Sequence, residues 1–496
     1  MHVGGWLRGQ WRVYADNPGA TKDFRVQLRG SRAILLWGIF LLVFAVVTLV
    51  SYNGVRSQSE MPISEAQSEL HHFYQTVSAL LATMVCVVAP AIGAGAIFPD
   101  RQRRFLDLIL SSPMSAKSYL VGKLISTYRS LWMLLILSLP LVSVGALMGG
   151  ATYGDVFRML LLISLDGLVF ASIAIGISAG AARLSSAILL SYTATVIVVI
   201  GASIVGAMAI STSGFGPHVQ QTIPVLAYLS PYSALSSGDD VVSLFAWNLP
   251  GWIAFTGFTV LLVWSALLGA GSALSPTHVR ETTGFRIITL LSVFWIAYGF
   301  GVPSMVGASS GTVEHLPALL AFPIAMIVPS FTCFTASGPP KFVYDGRPNL
   351  RNTFRGLPSG SLGFTLLLIA VVVGGAFLSD SRGGHTLTAP FIAYMAGLIF
   401  FSWSLARAVS FLIPALPGGR AISVLGPMIV FALLQAMASS MSTAGDSYAW
   451  LTPFGPFLEP TIPTLALEWG VTFALVGLVL AFVKSSGFES RVAEES

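Results

Sequence analysis

Hydrophobic residues in this chain fall into long runs separated by short polar turns, and run length is a stronger signal than any helical or strand period. A bilayer core about 30 Å thick is crossed by roughly 20 residues rising 1.5 Å each. Twelve windows of that size stand out, approximately 34–52, 73–98, 130–149, 156–180, 186–211, 249–275, 286–308, 316–337, 362–379, 389–413, 421–442 and 463–484. They predict an all-α integral membrane protein with about 12 transmembrane helices. Composition agrees: of 496 residues, 54% are hydrophobic and only 9% charged, with a mean hydropathy of +0.79. A water-soluble domain carries about 25% charged residues. The first run, Ala33 to Tyr52, has no small-residue cleavage signature and reads as a retained span.

Charge gives the spans a direction. With the N-terminus inside, the inner segments hold Arg8, Arg12, Lys22, Arg25, Arg29, Arg32, Arg101, Arg103, Arg104, Lys117, Lys123, Arg183, Arg280, Arg286, Lys341, Arg347, Arg351, Arg355 and Arg420. The outer segments keep Arg56, Arg158 and Arg382. This asymmetry predicts cytoplasmic N- and C-termini. The pI of 9.2 then reflects inner loops facing anionic lipid headgroups, with no nucleic-acid partner.

Several chemistries lack their residues. Cys86 and Cys333 both lie in predicted spans and make neither a disulfide framework nor a metal site. Glu65, Glu69 and His72 have the spacing of a shared helix face, but a solvated outer loop is the simpler reading, and no metal is expected. There is no G-x-x-x-x-G-K-[ST] loop, since Gly122-Lys123 is followed by Leu124, so ATP phosphates must be cradled on another polypeptide. No H-E-x-x-H or G-x-S-x-G motif occurs, which argues against a membrane hydrolase.

Two inner segments carry more specific patterns. Asp16-Asn17-Pro18 opens a helix, with Asn17 as N-cap and Pro18 at the first helical position. Lys22, Arg25, Arg29 and Arg32 then recur along one side, beside an apolar face with Phe24 and Leu28, as in a helix lying at the membrane interface. The second segment, Asp100 to Lys123, reads DRQRRFLDLILSSPMSAKSYLVGK. Phe105, Leu106, Leu108, Ile109 and Leu110 interleave with Asp107 as a short amphipathic helix, and Ser111-Ser112-Pro113 ends it. A second helix from Ser115 carries Lys117 and Lys123 into the next span.

Together these segments resemble the membrane subunit of type-2 ABC exporters. Asn17, Pro18, Lys22, Asp23, Arg25, Leu28, Arg29, Gly30, Arg32 and Ala33 would occupy that family's interfacial-helix pattern. Asp100, Arg101, Arg103, Leu106, Asp107, Leu110, Pro113, Ser115, Gly122 and Lys123 would occupy its coupling-helix pattern. Arg104-Phe105 stands where the family usually has Gly-Thr, and Asp23-Phe24 where it has Glu-Leu. GISAGAARLSSA from Gly176 and LSPYSAL from Leu229 extend the likeness over roughly residues 14–275. The resemblance implies cytoplasmic ABC ATPase subunits as partners, with ATP and Mg bound there and no cofactor on this chain. It also implies a location in the plasma (inner) membrane, most simply of a bacterium, among membrane lipids.

The second half reads as a diverged copy of the first. A shift of 245 positions brings Asp345 onto Asp100 and Pro358 onto Pro113; shifts of 222 to 224 bring Leu451-Thr-Pro-Phe454 onto Leu229-Ser-Pro-Tyr232 and Arg407 onto Arg183. The expected organisation is an interfacial region over 1–33, a six-span half over 34–278 with a coupling helix at 100–117, a second half over 279–485, and a cytoplasmic tail over 486–496. Glycines 346, 356 and 360 and Pro348 weaken any amphipathic helix in the second inner loop. Unequal docking of two ATPases is expected, with one fused chain or a pair of chains completing the permease.

Asp166 lies near the middle of the fourth span. An ionisable group there is costly and marks a pairing or a pathway. A structural, hydrogen-bonded acid is the first reading, a residue lining a transport cavity the second, and a proton carrier the third. The expected function is export of an amphipathic or lipid-like molecule between the halves, with outer gates at Pro231-Tyr232 and Pro453-Phe454. The rivals are an ion-coupled secondary transporter and a non-transporting scaffold for an ATPase.

Overall fold

A computed structural model describes residues 18–29, 31–56, 63–102, 116–147, 151–181, 183–212, 225–232, 241–244, 247–274, 279–299, 350, 353–354, 360–383, 389–412 and 463–481. Nearly all of them are helical. Ten of the twelve predicted windows contain a helix, while windows 316–337 and 421–442 lie outside the described residues. Five helices are long and apolar enough to cross a membrane: Leu70–Gln102, Ser118–Ser143, Tyr153–Gly180, Leu184–Ser203 and Gly251–Gly271. Shorter apolar stretches occur at Trp37–Val50, Arg286–Trp295, Ser361–Gly375, Ile392–Leu405 and Leu467–Ala481.

The chain divides into two units. The first comprises Met1–Ile210, Ile223–Val242 and Leu249–Ser275; the second comprises Ser211–Thr222, Ser243–Asn248 and Pro276–Ser496.

Unit 1 contains α1 (Pro18–Arg29), α2 (Ser31–Arg56), α3 (Ile63–Gly95), the short α4 (Phe98–Gln102), α5 (Ala116–Leu147), α6 (Tyr153–Gly180), α7 (Leu184–Thr212), a 3-10 turn (Val225–Leu229) and α8 (Gly251–Leu274). Helix α1 begins at Pro18, where a missing N–H costs nothing. Thr152 and Asp155 start α6 with a capping box: each side chain satisfies the other's backbone N–H. A two-stranded hairpin, β1 (Val241–Leu244) with β2 (Trp247–Pro250), precedes α8.

The core of unit 1 is α6, which packs against α3, α5 and α8. Lipid tails are as apolar as leucine, so helices associate here through close packing rather than burial from water. A Cβ at Gly93 would lie 2.8 Å from the Ala171 carbonyl oxygen and from the Ala174 Cβ. A Cβ at Gly167 would lie 2.9 Å from Val85 Cγ1. These small residues bring α3 and α6 close enough for Ser178 Oγ to donate to the Ala94 carbonyl at 2.8 Å. Several buried hydroxyls bond their own helix: Thr48 donates to Phe44, Ser130 to Ser126 and Ser172 to Val169. That pattern satisfies a polar group without needing water.

Unit 2 contains α9 (Val279–Gly299), α10 (Ser361–Gly383), α11 (Ala389–Leu412) and α12 (Pro463–Ala481). Helices α11 and α12 are its tightest pair, crossing where Gly397 faces Gly470. A Cβ on Gly470 would stand 2.6 Å from the Tyr394 backbone nitrogen, so larger residues are excluded at that crossing. Trp403 is buried and donates its indole N–H to Ser361 Oγ at 2.9 Å, tying α11 to α10. Arg286 is buried on α9, donates to the Thr353 carbonyl at 2.8 Å and lies over the Phe364 ring.

Candidate functional site

The ends of four elements meet at one end of unit 1. Tyr119 and Lys123 are four residues apart on α5, so they share a face one turn apart. Lys123 Nζ lies 2.7 Å from Asp23 Oδ2 on α1 and 2.7 Å from Asp100 Oδ2 on α4. The Tyr119 hydroxyl donates to that same Asp100 oxygen at 2.9 Å, and the Lys123 ammonium stands 5.4 Å from the Tyr119 ring centre. The lysine side chain is 8% exposed, against 24% for Asp23 and 19% for Asp100. One shielded cation therefore joins three chain segments far apart in sequence.

Arg101, the next residue along α4, turns to a different neighbour. Its guanidinium donates to the Ala179 carbonyl at 2.6 Å and to the Ala181 carbonyl, which belong to the C-terminal turn of α6. Those carbonyls have no partner within the helix and carry the negative end of its dipole, so a planar two-armed cation suits them. Asp100 and Arg101 together fasten α4 to α1, α5 and α6, the link to α1 running through Lys123.

Of the residues expected to couple to an ATPase, Asp100, Arg101 and Lys123 are brought together here, and Gly122 precedes Lys123 on α5. Lys117 lies on the first turn of α5. Arg103, Leu106, Asp107, Pro113, Asp345 and Pro358 lie outside the described residues. On the interfacial helix, Lys22 and Arg25 are exposed and Arg29 ends α1; Arg32 begins α2, and Asn17 lies outside. The sequence reading missed Tyr119 as a partner of Asp100, although its spacing from Lys123 marks it. The carbonyl acceptors of Arg101 carry no sequence signal at all.

A second polar feature closes the side of unit 1 between α3 and α8. The 3-10 turn is buried, and Tyr228 stacks on Phe255 of α8 with ring centres 5.8 Å apart. Ser230 Oγ is 2.6 Å from Ser203 Oγ on α7. Pro231 is buried, and the exposed Tyr232 brings its hydroxyl within 2.8 Å of Thr83 Oγ1 on α3. Pro453 and Phe454, the matching gate residues, lie outside the described residues.

Asp166 is fully buried in the middle of α6, and neither carboxylate oxygen has a hydrogen-bond partner among the described residues. The first sequence expectation for it, a structural hydrogen-bonded acid, is therefore not what the described residues show.

Residues 20–243 match the family model of ABC-2 family transporter protein. The match takes in α1, the charged junction, α6, the 3-10 turn and the start of the hairpin. With the apolar helices, it supports a transmembrane permease of an ABC transporter, a multi-pass membrane component. That family match implies association with an ABC ATPase subunit. No curated protein and no solved structure matches the chain.

Proposed function

We propose that this chain is the membrane permease of an ABC exporter, built from two fused six-span halves with both termini cytoplasmic, and that separate ATPase subunits drive it. ATP and Mg are held on those subunits. The observation that carries this reading is the Lys123 junction within the ABC-2 match. A load on segment 103–115 would pass through Asp100 to span 3 and the interfacial helix, and through Arg101 to span 4. Asp100, Arg101 and Lys123 then act as the rigid base of the docking segment, while Arg103, Leu106, Asp107 and Pro113 form its surface.

A recurring helix pairing favours the two-half reading. In unit 1 the fourth span packs along the sixth, α6 on α8, and in unit 2 the windows at equivalent positions do the same, α11 on α12. Gly176 approaches the Ala266 carbonyl in the first pair, and Gly397, 221 residues after Gly176, approaches Gly470 in the second. Each pair places a glycine at its crossing.

The cargo is an amphipathic or lipid-like molecule moved outward in a plasma (inner) membrane, of the bacterial type, with Pro231-Tyr232 and Pro453-Phe454 as outer gates. Mild-detergent purification of the tagged chain with quantitative mass spectrometry tests the assignment. Two copies of a Walker-type ATPase per chain are expected for a fused permease. One copy indicates paired chains, and none across several detergents overturns the exporter reading.

A further inference from the structure

Asp166 is a fully buried carboxylate whose two oxygens find no hydrogen-bond partner among the described residues. An isolated charge in that setting costs far more than the fold gains from it, so the group needs a counterion or a proton. Its direction can be read from helix geometry. At 100° per residue, Asp166 points about 110° away from the α3-facing stripe of Gly167, Ala171, Ala174 and Ser178, and about 80° away from Gly176, which faces α8. It thus points into the wedge between α3 and α8.

The same wedge is bridged by the 3-10 turn and Tyr232, through Tyr228 on Phe255 of α8 and through the Tyr232–Thr83 contact on α3. The depths agree. Val85 abuts Gly167, next to Asp166, and Thr83 lies two residues, about 3 Å of helix rise, from Val85. Cys86 follows Val85 on α3 and so lies at the depth of Asp166.

We infer that Asp166 is the anionic anchor of an intramembrane binding site for an organic cation of the ammonium class, reached past Tyr232. The chemistry of the anchor selects this ligand. A hard metal ion asks for six or more oxygen ligands, and no group of three or more metal-ligating side chains occurs among the described residues. An organic cation needs only the single counter-charge that Asp166 supplies. The inference rests on the transport reading above for the identity of the ligand as cargo, an amphiphile with a cationic headgroup. The Tyr232–Thr83 contact is the closure that must open for it to enter.

The test uses the full chain in nanodiscs of net-neutral, zwitterionic phosphatidylcholine, with radiolabelled tetrabutylammonium as the cationic probe. Saturable binding is expected, weakened about tenfold or more by Asp166→Asn, as for loss of a buried charge partner, and retained by Asp166→Glu. A second measurement stands even if Asp166→Asn fails to fold. In a Cys333→Ala background the probe should slow alkylation of Cys86 by N-ethylmaleimide. Absence of saturable binding, equal binding by Asp166→Asn, or unprotected Cys86 each overturns the site. Neither measurement needs an ATPase. Failed binding with an ATPase still bound removes this site alone, and binding without any ATPase removes the exporter reading.

Discussion

Lys123 and Asp23 are a hundred residues apart, yet their charged atoms lie 2.7 Å from each other, and this contact joins the interfacial helix α1 to span helix α5. Because Lys123 also holds Asp100 at 2.7 Å, a single ammonium pairs with two carboxylates. Its removal leaves two negative charges facing each other with little water between them. For a fully buried pair such a loss costs about 3–5 kcal/mol, and partial exposure of both acids brings the expected cost of Lys123→Met to about 2–3 kcal/mol. Thermal unfolding in detergent should show a lower Tm for Lys123→Met, with Asp23→Asn milder than Asp100→Asn, since Asp100 alone also holds Tyr119. Equal effects of the two acids would contradict the shared-cation geometry.

Arg101 should not tolerate replacement by lysine. The guanidinium reaches two carbonyls at the end of α6, and an ammonium on a flexible stem cannot reproduce that fork. Hydrogen exchange of residues 176–181 is expected to rise in Arg101→Lys and more in Arg101→Ala. In the assembled transporter, both variants should hydrolyse ATP with reduced cargo movement. Normal coupling in Arg101→Ala would remove Arg101 from the transmission route.

Glycine substitutions should separate into two classes. A Cβ at Gly470 meets the backbone of Tyr394, and one at Gly93 meets Ala171 and Ala174, so alanine at either position forces the helices apart. Overpacking of this kind typically costs about 1–3 kcal/mol. At Gly201 and Gly269 a Cβ would meet nothing within 4 Å, and alanine there should be neutral or stabilising by up to about 1 kcal/mol. Folded yield by fluorescence-detected size exclusion reads both classes, and an unaffected Gly470→Ala would contradict the crossing.

The Tyr232–Thr83 hydroxyl pair should behave as a closure rather than a scaffold. Tyr232→Phe and Thr83→Val each remove the 2.8 Å contact without changing side-chain volume much. A net cost of about 1 kcal/mol or less is expected, with non-additive effects in the double variant because the two residues share one bond. Maleimide labelling of Cys86 should be faster in both variants, and an unchanged rate would show that this contact does not control access.

The run lengths of apolar residues determined a helical, membrane-spanning chain, because a bilayer leaves the backbone few ways to satisfy its own hydrogen bonds. Local signals were equally legible: Pro18 opens α1, and Asp100 and Lys123 stand out as charges beside apolar spans. The sequence could not say which charges are spent inside the protein. Asp100, Arg101 and Lys123 look alike as loop charges, and only the convergence of α1, α4, α5 and the end of α6 turns them into an ion-paired base with two carbonyl acceptors. Asp166 shows the same limit from the other side. Its position in a span was plain, but the absence of a hydrogen-bond partner depends on which neighbours the packing brings, and long-range contacts of that kind leave no trace in spacing along the chain.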